Sequence, residues 1–128
     1  MQIQISPADG VPIYLQIVNQ IKYLASSGRL EPDEELPPIR TLAEQLIVNP
    51  NTVARAYREL ELAGIVVKRR TSGTYVSNAA PRLDRRNRLK IVTQRVDALV
   101  VEARQMNIPL DEVIALIRQR DKSMQPQT

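Results

Sequence analysis

Cysteine and histidine are both absent from this chain of 128 residues. Without cysteine there is no disulfide scaffold, and without either residue the usual transition-metal ligand sets are missing. Catalytic triads that need a histidine or a cysteine are excluded with them. No apolar run approaches the ~18 residues needed to span a bilayer. The opening Met1-Gln-Ile-Gln-Ile lacks the basic and then apolar pattern of a secretion signal. The expectation is a soluble cytoplasmic protein with no cofactor and no membrane partner. Glu31, Asp33, Glu34 and Glu35 sit in one solvated stretch, and no second group converges on them, so an enzyme is not expected. The length allows one small domain and an appendage.

Excess charge is scarce too, and its placement is uneven. Residues 1–80 hold 8 Lys plus Arg against 8 Asp plus Glu, whereas residues 81–128 hold 10 against 6 and carry the whole net charge of +4. Composition therefore does not point to nucleic acid. Any attraction to phosphate must come from where the charges of the first part face.

What is present is a patterned stretch from Leu36 to Gly64. Leu42, Ala43, Leu46, Val53, Ala56, Tyr57 and Leu60 recur at intervals of one, three and four, and Val48-Asn49-Pro50 interrupts them midway. This predicts a short helix from Ile39 to about Ile47, a tight turn, and a second helix to about Ala63 that Gly64 closes. Asn49 is the expected N-cap, with Pro50 at the first helical position. Asn51 and Thr52 stand at the second helix's start, and Arg55 and Arg58 lie on its flank. Polar groups at the tip and arginines along the side suit a helix entering a DNA major groove. Local capping by Asn51 and Thr52 is the plainer alternative, and an Arg40–Glu44 surface pair is the plainer one for Arg40.

Before this stretch, residues 1–11 read as a short arm whose Gln-Ile alternation is too brief to establish a strand. Pro12 fits the first turn of a helix with Tyr14, Ile17, Ile21, Leu24 and Ala25 as its apolar stripe, Gln16 and Gln20 mostly off it, and Ser27-Gly28 as its stop. Residues 30–36 read as a connecting loop with Leu30 and Leu36 turned inward. After Gly64, Ile65 to Val67 and Thr74 to Val76 are extended runs around Lys68-Arg-Arg-Thr-Ser-Gly73. This predicts a hairpin with Lys68, Arg69 and Arg70 at a basic tip, and Gly73 supplying a positive φ or a close backbone approach to phosphate. Residues 77–88 read as a basic linker, with Arg82, Arg85, Arg86, Arg88 and Lys90 as a solvated cluster or a trail along the DNA backbone.

The remainder, 89–121, reads as two helices ending in a flexible 122–128. Leu89, Val92, Val96, Leu99, Ala103 and Met106 form a heptad-like seam, and Asn107-Ile-Pro109 breaks it before Val113, Ile114 and Ile117. Two such helices have too little core to fold alone, so their expected partner is the same pair from a second subunit. An apolar cleft between subunit tails has room for a small effector, with no residues that identify one.

The pieces Pro12-Ile-Tyr-Leu-Gln-Ile17, Gly28-Arg-Leu30, Leu36-Pro-Pro-Ile-Arg-Thr-Leu-Ala43, Asn51-Thr-Val53, Ala56-Tyr57, Leu60-Glu-Leu-Ala-Gly64 and Gly73-Thr-Tyr-Val76 together resemble the GntR-type transcription regulators. The short tail resembles their YtrA-like branch, which lacks a large ligand-binding domain. The resemblance implies a mainly α fold with a small β-wing: a winged helix-turn-helix over residues 1–76 and a helical dimerisation hairpin. It implies a homodimeric regulator, in its simplest form a repressor, on an inverted-repeat site in double-stranded DNA. It also implies that Arg40, with Thr41 beside it, contacts DNA from the start of the second helix, that Asn51 and Thr52 reach the operator, and that Gly73 and Thr74 enter the minor groove. Asn49 and Pro50 depart from the serine and arginine common there, so relatives' operator sequences do not carry over; Thr71 stands where glycine is frequent. The runner-up is an architectural or partner-recruiting DNA-binding module whose tail binds another protein.

Overall fold

The computed structural model describes residues 1–69, 73–79 and 82–124. The chain divides into two compact units, Met1–Asp84 and Arg85–Thr128. The first contains helices α1 (Ile13–Ser26), α2 (Ile39–Leu46) and α3 (Pro50–Leu62), then strands β1 (Val66–Arg69) and β2 (Gly73–Val76). The second contains α4 (Arg85–Gln105) and α5 (Leu110–Met124). The architecture is mainly α with a small β-wing.

The core of the first unit forms where three amphipathic helices meet the hairpin. Ile17 and Ile21 of α1, Leu42 of α2, Val53 and Leu60 of α3 and Val66 and Val76 of the strands are almost wholly buried. Leu30 and Leu36 turn inward as their sequence context predicts. α1 stops where the Ser27 and Gly28 amides bond back to the Tyr23 and Ala25 carbonyls, with Gly28 at φ 82°. Pro12 lies one position earlier than predicted, as the residue before α1, and its carbonyl accepts from the Leu15 and Gln16 amides.

Gln16 is a departure. Predicted off the apolar stripe, it is only 7% exposed. Its side chain accepts from the Ser6 amide at 2.8 Å and donates to the Ser6 and Val11 carbonyls at 3.0 and 2.9 Å. Gln20 holds Gln4 in the same two-way manner. The arm is thus fixed by side chains that satisfy its backbone, with Ile3 and Ile5 against the core, and it forms no strand.

The wing differs from its predicted outline. β1 starts at Val66 and runs on through Arg69, so Lys68 and Arg69 stand on the strand, opposite Thr74 and Gly73. The predicted tip residues Arg70 and Thr71 lie outside the described residues. The stretch before α2 is more than a loop. Leu36 donates to Thr74, Asp33 to Val76, and Val76 back to Glu34, each at 2.8 Å, with Glu35 bridged to Tyr75. This segment therefore lines the free edge of β2 and shields it.

In the second unit, α4 begins at Arg85, so Arg85, Arg86 and Arg88, read from the sequence as part of the linker, ride on its first turns with Lys90. Met106 and Asn107 close α4, with Asn107 at φ 60°, and the Pro109 carbonyl accepts the first free amides of α5. α5 continues to Met124, beyond the expected fraying point at Lys122.

Candidate nucleic-acid interface

α2 and α3 pack on each other across a turn built from three residues with separate duties. Ile47 adopts φ 56° and ψ 52° and ends α2, while the Val48 amide bonds to the Ala43 carbonyl at 3.0 Å. Asn49 then caps α3, its side chain accepting from the Asn51 amide at 2.8 Å. Pro50 takes the first helical position, where no amide proton is needed. Because Asn49 does the capping, the side chains of Asn51 and Thr52 are not committed to it. Asn51 is exposed and Thr52 half-buried at the helix tip.

Arg40 and Thr41 are exposed in the first turn of α2, and among the described residues no ion pair joins Arg40 to Glu44. The lead-in to that turn is held from the core. Tyr57 on α3 donates its hydroxyl to the Pro37 carbonyl at 2.7 Å. Burial pushes the Tyr57 phenol far above its ordinary range, so it remains a donor. Its apolar spacing predicted only a core residue; a hydrogen bond spanning 20 positions leaves no local signal.

The basic residues differ in their freedom. Arg58 is exposed, with no ion pair among the described residues. Arg55 lies over the Tyr14 ring, 3.7 Å from its centroid, and 3.9 Å from Glu59. Lys68 is 3.9 Å from Glu61. Arg69 pairs with Asp33 and lies over the Tyr75 ring. Arg70 falls outside the described residues. Of the two roles expected of Gly73, a positive φ or a close backbone approach to phosphate, the first is not seen. Its need for glycine is steric, because a Cβ there would lie 2.7 Å from the Tyr75 ring.

Two open grooves gather these elements. One, of about 280 Å³, runs between Glu35–Ile39 at the start of α2 and Lys68, Arg69, Gly73 and Thr74 on the wing. The other, of about 380 Å³, joins Ile13 and Tyr14 at the start of α1 to Asn51, Thr52 and Arg55 at the start of α3. Among the described residues no group of acidic residues could hold a metal ion, and no helix is long and apolar enough to cross a membrane.

A helix-turn-helix with its second helix capped and exposed at the tip, flanked by a basic hairpin, defines the winged helix-turn-helix class of DNA-binding regulators. Residues 13–76 match the bacterial regulatory proteins of the gntR family. The HTH-type transcriptional repressor YtrA of Bacillus subtilis is 36% identical over 91% of this chain and 90% of its own. The structure of YtrA from Sulfolobus acidocaldarius, a GntR-family transcription factor, is 36% identical with a TM-score of 0.57, covering 75% of this chain and 97% of that one. The AraR DNA-binding domain in complex with operator ORE1 is 25% identical with a TM-score of 0.50, covering 60% of this chain and 94% of its own. The chain belongs to the GntR family. It is a transcription regulator and not an enzyme.

Proposed function

We propose that the protein is a sequence-specific repressor that binds an inverted-repeat operator as a homodimer in the cytoplasm. The observation that carries this is the tip of α3. Asn49 takes the cap, leaving Asn51 and Thr52 exposed or half-exposed at the point a recognition helix offers to base edges. The repressor named above, alike over nine-tenths of both chains, supports the direction of control. An occupied operator then excludes polymerase.

In this reading Arg40, Thr41 and Arg58 contact backbone or base edges, Lys68 neutralises phosphate, and Gly73 and Thr74 approach the adjacent minor groove. Arg55, held over Tyr14, meets the phosphate nearest the start of α1. The backbone contacts set register, and base readout centres on the residues at the tip of α3.

The dimer is supported by what α4 and α5 leave uncovered. Leu89, Val92, Val96 and Leu99 remain between 39% and 56% exposed. Met106, Ile114 and Ile117 are exposed as well, and only Ala103 and Val113 are buried, within the α4–α5 elbow. An apolar face of this length on a charged helix is costly in water and is relieved by a second copy. A cavity of about 220 Å³ beside Val100, Ala103, Ile108 and Val113 gives a small effector a place to bias that dimer.

Selection of bound duplexes from a random pool, with light scattering on the purified chain, tests the reading. An inverted repeat with half-sites about one helical turn apart and a dimer mass are expected. A folded monomer that enriches no motif would overturn it in favour of an architectural role.

A further inference from the structure

On one face of the wing, four residues from three neighbouring backbone segments form a single stack. Arg69 on β1 lies opposite Gly73 on β2, and Tyr75 is Gly73's next neighbour on that face. Gly73 contributes no side chain, so the Tyr75 ring occupies the space across from Arg69, within 2.7 Å of where a Cβ would be. The Arg69 guanidinium covers that ring, 4.4 Å from its centroid. Asp33 arrives from the other edge of β2, where its amide bonds to Val76 and its φ of 67° turns the chain, and its carboxylate pairs with the same guanidinium. The pair joins residues 36 positions apart.

Arg69 and Asp33 are 44% and 52% exposed at their side chains, so their pairing adds little to global stability. What it does is local. Asp33 begins the segment that runs through Leu36, buried in the core, into Pro37 and the start of α2. The stack therefore ties the wing to the lead-in of the helix that presents Arg40.

We propose that Arg69 is a positioning residue: held by Asp33 and Tyr75, it fixes the wing relative to the start of α2, and it is not itself a phosphate contact. This rests on the DNA-binding reading above and refines it, since an arginine beside a recognition helix would otherwise be counted among the phosphate contacts. Asp33 neutralises the guanidinium and takes its Nη2 while the Tyr75 ring covers one face, so a phosphate would compete with a carboxylate held by the same backbone that holds the wing. Thr74 and Arg40 are thereby kept at a set span along the DNA.

The test uses the full chain with the duplex it selects and with an unrelated duplex, titrated by fluorescence anisotropy across about 50 to 200 mM salt. Wild-type discrimination between the two duplexes is read first, and it bears on the regulator reading alone. Arg69→Gln and Asp33→Asn should each weaken selected-duplex binding on the order of tenfold, and the double variant should be no worse than either, as for partners in one network. The dependence of log K on log salt should stay the same in Arg69→Gln. Arg69→Lys keeps the charge without the flat guanidinium and should not restore affinity. In the free protein, hydrogen exchange at the Leu36 and Val76 amides should quicken in Arg69→Gln while α3 amides hold. A salt slope reduced by about one, tighter binding of both duplexes by Asp33→Asn, or rescue by lysine would overturn the proposal. Unchanged exchange at the Leu36 and Val76 amides would do so without any DNA.

Discussion

The Tyr57 hydroxyl reaches out of the core to the Pro37 carbonyl at 2.7 Å, so one side chain both fills the interior and anchors the approach to α2. Burial raises its folded-state pKa above the unfolded value of about 10, and a raised pKa means the folded state holds the proton more tightly. The stability this represents is complete below the unfolded pKa and declines as pH rises above it. Tyr57→Phe should therefore cost about 0.5–1.5 kcal/mol at neutral pH, and should flatten the alkaline loss of stability. Urea unfolding at pH 7 and above pH ~10 would show both effects; an equally steep alkaline decline in the variant would assign it to another group. Arg40, exposed in the first turn of α2, carries the opposite kind of prediction. Arg40→Ala should leave circular dichroism unchanged, weaken operator binding, and lower the salt slope by about one if it meets phosphate. Unaltered affinity across the titration would remove it from the interface.

At the scale of elements, the turn between α2 and α3 contains both a strain and a cap. Ile47 is a β-branched residue at φ 56° and is 91% exposed, so it loses backbone energy without gaining burial. Ile47→Gly should stabilise the fold by about 1 kcal/mol, seen as a thermal midpoint several degrees higher. A lower midpoint would mean that the isoleucine has packing not evident from its exposure. Asn49→Ala should do the reverse, costing about 1 kcal/mol by freeing the Asn51 amide. At the wing, Gly73→Ala would push the Tyr75 ring off its site. Since the ring can swing outward, the melting temperature should fall little while duplex binding falls clearly. Equal losses in both would make the glycine's role purely structural.

For the whole molecule, the question is what covers α4. Its apolar residues recur every three or four positions, and α5 covers only the stretch around Ala103. On the homodimer proposed above, replacing Val96 and Leu99 together by asparagine should weaken self-association and, with it, operator affinity, because two linked half-site contacts bind far more tightly than one. Sedimentation of an unaltered dimer would place the interface elsewhere. The first unit should keep its own melting transition in that variant, since its core is complete within Met1–Asp84.

Helix periodicity, the Asn49-Pro50 turn and the glycine stops were legible from the sequence because each is local. A 3.6-residue repeat, a capping side chain two positions from its amide and a positive φ at Gly28 and Gly64 all act within one turn of chain. The family motifs followed from the same local patterns. The contacts decided by tertiary structure join distant positions. Gln16 holding Ser6, Tyr57 holding Pro37, Asp33 meeting Arg69 and the 33–36 segment along β2 connect residues that no window of sequence brings together. They also account for Gln16 and Gly73. The spacing of Gln16 says nothing of its burial because its partner is a backbone ten positions away, and the steric reason for Gly73 is not in the sequence because the ring beside its missing Cβ comes there only once β2 is paired. Local sequence determined which helices form and where they stop. Folding decided which of the polar side chains are held by distant parts of the chain and which stand exposed.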